Sequence, residues 1–287
     1  MVKKVAVIND ISGLGKCSLT AAIPVLSVMG VQACPIPTAV LSNQTDYDSY
    51  YYIDCTSHMD AYIAEWKKMG LSVDGIYSGF LGHEQQVEKV LNFIKDFRKE
   101  DTLLLVDPVM GDNGHPYDVY TAELGNKMRN LVNCADVITP NVTELCILTD
   151  TDYDALQAKQ TSENYLEEIV SIAKKLLSEN CKTVIVTGIL YQSATDSEER
   201  FYNLVLTPDG YDYVSATIQG GSFSGTGDIM ASIVCAGMMN GKSALKCVEL
   251  ASHFLETAME DTIKDHVNRN DGINFEPYLR MLLEESI

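Results

Sequence analysis

Gly220-Gly221-Ser222-Phe223-Ser224-Gly225-Thr226-Gly227-Asp228 runs directly into Ile229-Met230-Ala231-Ser232-Ile233-Val234. The glycines let the backbone take positive φ and approach another group closely. The small, apolar run after them predicts a buried helix, with Gly225-Thr226-Gly227 at its N-terminus. There the unpaired N–H groups and the helix dipole favour an anion. Asp228 is out of place in such a loop, because a carboxylate repels phosphate. Both features belong together in an enzyme that takes a proton from a hydroxyl while stabilising a transferring phosphoryl group. The competing reading is an ordinary glycine-rich turn with Asp228 capping the helix.

Outward from this stretch, β-branched runs alternate with helical patterns. Strands are predicted at Lys4–Ile8, Val31–Pro35, Gly75–Ser78, Leu103–Asp107, Val137–Thr139 and Val184–Thr187. Helices are predicted near Ser18–Met29, Met59–Met69, Glu84–Phe97, Ala122–Val132 and Tyr165–Glu179, then Ile229–Met239 and Ser243–Thr262. Strands apolar on both faces and separated by helices imply a mostly parallel sheet covered on both sides. Phe201–Leu206 and Tyr211–Ser215, joined by Thr207-Pro208-Asp209-Gly210, read as an added antiparallel hairpin. The expected fold is a three-layer α/β/α sandwich, with residues 1–287 as a single domain.

Composition narrows the partners. A formal net charge of −19 offers no basic patch to nucleic acid or an anionic membrane. No apolar run is long enough to cross a bilayer, and the strand-like Lys3-Lys4-Val5-Ala6-Val7-Ile8 is unlike a signal peptide. Eight scattered cysteines, without a C-x-x-C pair, read as reduced thiols of a cytoplasmic protein. So acidic a chain would have to hold ATP locally, through magnesium, backbone N–H groups and a few lysines.

In open parallel sheets ligands bind at the carboxyl ends of the strands. Here those ends read Asp107-Pro108-Val109-Met110-Gly111-Asp112, Thr139-Pro140-Asn141-Val142-Thr143-Glu144 and Thr187-Gly188. Singly these are common turns and helix starts. Converging opposite a glycine loop, they supply the oxygen ligands that Mg²⁺ prefers and suggest a phosphoryl-transfer site. Asp10-Ile11-Ser12-Gly13-Leu14-Gly15-Lys16-Cys17-Ser18 has the outline of a P-loop. It carries Asp10 where that motif has Gly and Cys17 where it has Ser or Thr. It reads instead as a substrate loop with Asp10 at the strand tip, or as a helix-capping turn.

These residues together resemble the ribokinase superfamily and, within it, the vitamin B6 kinases (pyridoxal, pyridoxine and pyridoxamine kinases). The resemblance spans nearly the whole chain. It rests on Asn9-Asp10, Ser42-Asn43-Gln44-Thr45, Ser78-Gly79-Phe80-Leu81-Gly82, Asp107 to Asp112, Asn141-x-x-Glu144 and Gly225-Thr226-Gly227-Asp228. The Asp107 to Asp112 and Ser78 to Gly82 runs are the most specific. Bacterial pyridoxamine kinases are the nearest match, extending to Gly272-Ile273-Asn274-Phe275-Glu276. The resemblance implies that Asp228 is the base for the substrate's 5′-hydroxyl and that Gly225, Thr226 and Gly227 form an anion hole. It implies that Glu144 organises Mg²⁺ through water and that Asp112 faces metal and phosphate. Asp107, Thr139 and Thr187 would line the phosphate and monovalent-cation (K⁺) region. Asn141 and Thr187-Gly188 would contact ATP, and Asp10, Thr45 and Phe80 would hold the pyridine ring. A homodimer with a complete site in each subunit is also implied.

The chain departs from many B6 kinases at Asp10, where Ser is common, at Phe80, where Tyr is common, and at Gln44, where His is common. An acid at position 10 suits a protonated ring nitrogen or the amine of pyridoxamine, and the preferred vitamer stays open. Two rivals remain. One is a hydroxymethylpyrimidine kinase, a branch that usually begins with a Ser- and Gly-rich loop and often has Cys in place of Asp228. The other is a non-catalytic sensor, which the presence of Glu144, Asp228 and the loop glycines disfavours. One or both of the polar segments Asn113–Tyr120 and Tyr191–Arg200 are expected to order as lids over the nucleotide.

Overall fold

A computed structural model describes residues 2–192, 200–216 and 222–284. Its strands are β1 (Lys3–Ser12), β2 (Val31–Leu41), β3 (Tyr52–Asp54), β4 (Gly75–Ser78), β5 (Leu103–Val106), β6 (Gly111–Asp112), β7 (His115–Pro116), β8 (Val137–Ile138), β9 (Thr183–Tyr191), β10 (Arg200–Thr207) and β11 (Gly210–Ala216). Nine of them make one sheet in the order β11-β10-β9-β8-β5-β4-β1-β2-β3. The six from β9 to β2 are mutually parallel. Antiparallel β3 closes one edge and the β10–β11 hairpin the other. The fold is the expected mixed α/β one, with helices on both faces of a mostly parallel sheet.

The layers follow from the period of two along each strand. Val5 and Val7 enter one core, with Tyr77, Leu105, Val137 and Ile185 of the neighbouring strands. Ala6 and Ile8 point the other way, with Ile76, Leu104, Ile138 and Val184. The first core is covered by α1 (Ser18–Val28), α8 (Thr226–Met239), α9 (Ala244–Lys264) and α10 (Leu279–Glu284). The second lies under α2 (Thr56–Lys68), α3 (Glu84–Phe97), α4 (Ala122–Val132), α5 (Val142–Thr149), α6 (Tyr153–Gln157) and α7 (Tyr165–Ala173). Among the described residues no helix is long and apolar enough to cross a membrane.

Some elements differ from the sequence reading. β1 runs on to Ser12 and β2 to Leu41, through Pro35 and Pro37. Prolines are tolerated there because β3 pairs with β2 only from Ala39 onward, which leaves the outer side of the earlier stretch free of a partner strand. The helix predicted over Tyr165–Glu179 stops at Ala173 and tightens into a 3₁₀ turn at Lys174–Leu176. The short α5, α6, β3 and β6–β7 ribbon carry too few residues for periodicity to show. Asn113–Tyr120 is partly this ribbon, with the Gly114 N–H donating to Thr143 Oγ1 and the Tyr117 N–H to the Met110 carbonyl. Of the second expected lid, residues 193–199 lie outside the described residues.

One close approach sets the position of α8. Gly225 is its N-cap residue, in the left-handed region at φ 80°. A Cβ there would lie 2.1 Å from the Lys16 carbonyl oxygen. Gly225→Ala should therefore cost at least about 1–2 kcal/mol from the backbone conformation alone, with the clash added. Gly227 is different, because a Cβ there meets nothing within 4 Å. Gly227→Ala should leave stability unchanged or raise it by up to about 1 kcal/mol, as Ala replaces Gly inside a helix. Urea unfolding of the two variants checks the contrast, and equal stabilities would contradict it.

Candidate active site

The parallel strands all end on one side of the sheet, and the N-terminus of α8 reaches the same side. Between them lies a cavity of about 1140 Å³. Asp10, Thr45, Phe80, Asp107, Asp112, Thr139 and Asn141 line it, as do Glu144, Thr187, Gly188 and Gly225 to Asp228. Every site residue singled out from the sequence is thus on one wall or another. Strand order spreads them out: Asp10 and Phe80 come from the β1–β4 side, Asn141 and Thr187 from the β8–β9 side, and Asp107 from β5 between them.

Asp228 is the third residue of α8 and half-buried. Gly225 holds the N-cap position, so the capping reading of Asp228 does not hold. Its carboxylate instead accepts from Asn9 Nδ2 at 3.1 Å and from the Ser18 backbone N–H. Burial is the largest influence on this carboxyl and pushes it up to about 6, with the Asp10 charge adding and the two hydrogen bonds opposing. No side chain caps α8, so its first-turn N–H groups face the cavity without an intrahelical partner. Gly227 sharpens this point. A glycine inside a helix costs about 1 kcal/mol relative to Ala. Nothing in the chain crowds this position, which leaves the backbone there open to the cavity.

Asp107 directly follows β5, where it accepts from Thr139 Oγ1 at 2.8 Å. Burial first and then the Asp228 charge push it up to about 7. On the β1 side, Asp10 is buried and accepts from Ser12 Oγ at 2.9 Å and from the Ser18 hydroxyl. Burial raises its pKa against those bonds. It lies within β1, two residues before its end, rather than at its tip. Phe80 is fixed through its backbone: its N–H donates to Asn9 Oδ1 at 2.8 Å and its carbonyl accepts from Thr38 Oγ1 at 2.9 Å. Thr45 is exposed at the rim, next to buried Gln44.

On the β8 side, Asn141 and Glu144 form a capping box at the start of α5. One Glu144 oxygen accepts from the Asn141 N–H at 2.8 Å and the other from the Met110 N–H at 3.1 Å. Even so, burial and then the Asp107 charge raise the Glu144 pKa well above the usual carboxylate range. Asn141 Nδ2 donates to the Gly111 carbonyl, which ties α5 to the ribbon carrying Asp112. Asp112 is half-buried, accepts from both the backbone and the side chain of Asn113, and is raised mainly by burial. The Thr187 N–H donates to the Pro140 carbonyl at 2.9 Å, and Gly188 follows in the left-handed region at φ 65°. Among the described residues no three His, Cys, Asp or Glu side chains are arranged to hold a metal ion by themselves.

The expected lysines are absent from the described lining. Lys16 points away, its Nζ held by the Ile273 carbonyl, Asn274 Oδ1 and Glu276 Oε2. Arg269 is the one basic residue among the described lining residues, facing six carboxylates. Its polar surroundings, Asn268-Arg269-Asn270-Asp271, gave no signal in the sequence. Ser18 and Tyr117 were also missed, because their places depend on the loop after β1 and on the β6–β7 ribbon.

Comparison with known proteins adds independent findings. The family described as phosphomethylpyrimidine kinase matches residues 15–273. A Bacteroides thetaiotaomicron protein, assigned as a phosphomethylpyrimidine kinase and crystallised with pyridoxal, is 37% identical. Its TM-score is 0.90, with 98% of this chain and 96% of that one covered. A pyridoxine/pyridoxal/pyridoxamine kinase of Bordetella avium is 26% identical over 86% of this chain and 81% of its own length. The pyridoxal kinase of Leishmania donovani, solved with ADP and pyridoxine, shares the fold at 21% identity and a TM-score of 0.83, over 98% and 96% of the two chains.

The raised carboxyls give the ligand-free protein a defined pH response. Asp107 and Asp228 bind protons more tightly in the fold than in the unfolded chain. Their contribution is therefore greatest at low pH and is lost as pH rises through about 6 and 7. The melting temperature should fall between pH 5.5 and pH 8. Asp107→Asn, which keeps an acceptor for Thr139, should flatten that fall and raise the melting temperature at pH 8. A melting curve of the variant with unchanged pH dependence would contradict the assignment of that fall to buried Asp107.

Proposed function

The chain belongs to the phosphomethylpyrimidine kinase family and is a phosphotransferase of the pyridoxal kinase type, and from that premise we propose that it phosphorylates the 5′-hydroxyl of a vitamin B6 vitamer with ATP. The observation that carries the proposal is the start of α8, where an uncrowded Gly227 and open N–H groups adjoin a carboxylate held in place. Phosphate binding alone has no use for Asp228 there. Phosphoryl transfer to an alcohol uses both.

In this reading the ring lies toward Asp10, Thr45 and Phe80, and the nucleotide toward Asn141, Thr187 and Gly188. Asp228 accepts the 5′-hydroxyl proton as that oxygen bonds to the γ-phosphorus. The bond from phosphorus to the β,γ-bridging oxygen breaks, and ADP leaves. The N–H groups of Gly225, Thr226 and Gly227 take the charge that gathers on the phosphoryl oxygens. Asp10 meets the cationic part of the vitamer, and pyridoxamine is the vitamer that uses this acid most fully. Mg²⁺ fits the residues present: it keeps most of its waters and needs only one or two carboxylates besides phosphate oxygens. Asp112 would hold it directly and Glu144 through water, where it would neutralise phosphate charge. Asp107 and Thr139 are the candidates for K⁺. We assign this activity to one domain, residues 1–287, working in the cytoplasm as a homodimer, with neither nucleic acid nor membrane as partner.

The family description favours one second reading, a pyrimidine alcohol as acceptor. ATP consumption measured with pyridoxal, pyridoxine, pyridoxamine and hydroxymethylpyrimidine, with Mg²⁺ present, separates the two. At least one B6 vitamer should be turned over well, and efficient use of the pyrimidine alone would overturn the proposal.

A single substitution tests the mechanism. Asp228→Asn removes the proton acceptor and should lower kcat by roughly 10²–10⁴-fold, the usual contribution of a general base. ATP affinity should hold or improve as a negative charge leaves the phosphate site. Near-normal turnover would rule Asp228 out as the base.

A further inference from the structure

We propose that Asn9 is the positioning residue for Asp228, fixing one carboxylate oxygen so that the other faces the acceptor hydroxyl; this rests on the reading of Asp228 as the base. Asn9 is fully buried in β1. Its Oδ1 accepts from the backbone N–H groups of Asp10 at 3.0 Å and Phe80 at 2.8 Å. Two N–H donors on one end dictate which way the amide lies, so its NH₂ end is the one that meets Asp228 Oδ1, at 3.1 Å. The orientation follows from the neighbours and leaves no equivalent flipped state.

Two other features of the chain accommodate this amide. A Cβ at position 79 would lie 2.4 Å from Asn9 Nδ2, so glycine there leaves room for the side chain. The β1–β2 register also shifts between Asn9 and Ile11. The same amide joins the backbone carrying Phe80, on the ring side, to the proposed base. A change at Asn9 therefore moves base and ring wall relative to one another, which in-line transfer does not tolerate.

Asp228 faces Asp10 from β1, Cys17 from the loop before α1, Tyr77 from β4, Asp107 from β5 and Tyr117 from beyond the ribbon. The thiol and both phenols are pushed up by burial and stay neutral at physiological pH. The charges competing with an ionised Asp228 are thus those of Asp10 and Asp107. The Asn9 NH₂ opposes them by favouring the carboxylate form.

Asn9→Asp is the discriminating variant. One oxygen of the new carboxylate keeps both backbone donors, and the other confronts Asp228. Turnover at pH 7 should fall at least about 10-fold, the scale of a lost charge-assisted hydrogen bond. KM for ATP should stay within about 2-fold, and the acidic limb of the kcat–pH profile should move to higher pH. Gly79→Ala, which displaces the amide without adding charge, should lower kcat without moving that limb upward to the same degree. The unaltered protein gives a third readout: the Asn9 side-chain NH₂ resonances should shift as Asp228 titrates and lose that titration in Asp228→Asn. An N9D enzyme with normal kcat and pH profile, or Asn9 resonances indifferent to Asp228, would overturn the positioning role. Either result, together with an inactive Asp228→Asn variant, would leave the proposed function standing. An active Asp228→Asn variant would exclude Asp228 as the base, and with it the premise of this positioning role, while the vitamer assay alone decides the function.

Discussion

The approach of Gly225 to the Lys16 carbonyl fixes where α8 meets the sheet, and the rest of the site follows from it. A Cβ at that point would sit 2.1 Å from backbone oxygen, so only glycine allows the helix to dock there. Docked, α8 brings Asp228 within hydrogen-bond reach of Asn9 on β1 and turns its open first-turn N–H groups toward the strand ends. The helix is buried along most of its length, including Ile229, Ile233 and Val234. Packing against the sheet therefore holds its N-terminus in place, and no side-chain cap is needed. A rigid helix end is a better platform for a phosphoryl group than a loop, because its donors need not reorganise as charge develops.

The second constraint is electrostatic. Six carboxylates and one arginine among the described lining residues give the cavity the same sign as the nucleotide it is proposed to hold. Burial relieves part of that conflict, since Asp107 and Asp228 both bind protons more readily than in water. Hydrogen bonds pull the other way on Asp228, through Asn9 and Ser18. The balance leaves a carboxyl near 6, within the range where a general base is both mostly ionised at neutral pH and still willing to accept a proton. Glu144 is held differently, with both oxygens taken by backbone N–H groups. It thereby fixes the start of α5.

The sequence by itself determined the fold class and the membership of the site. Short β-branched runs apolar on both faces, alternating with helical runs, leave few alternatives to a covered parallel sheet, and strand-end acids then fall on one edge by topology alone. Asp10, Asp107, Asp112 and Glu144 were legible for that reason, and Asp228 from the glycine stretch that opens α8. The full length of β2 was not: the predicted strand ended at Pro35, whereas β2 runs on through Pro37 because β3 joins it only at Ala39. Tertiary structure alone decided what each polar group touches. It showed that Gly225 rather than Asp228 sits at the helix cap and that Lys16 is bound to Ile273, Asn274 and Glu276 instead of facing the cavity. It also placed Arg269 on the wall of the same cavity as the acids and Asn9 against Asp228. These contacts join residues more than two hundred positions apart, as between Asn9 and Asp228. Local periodicity carries no information about such pairs; they exist only once the packed helices and sheet bring the two segments together.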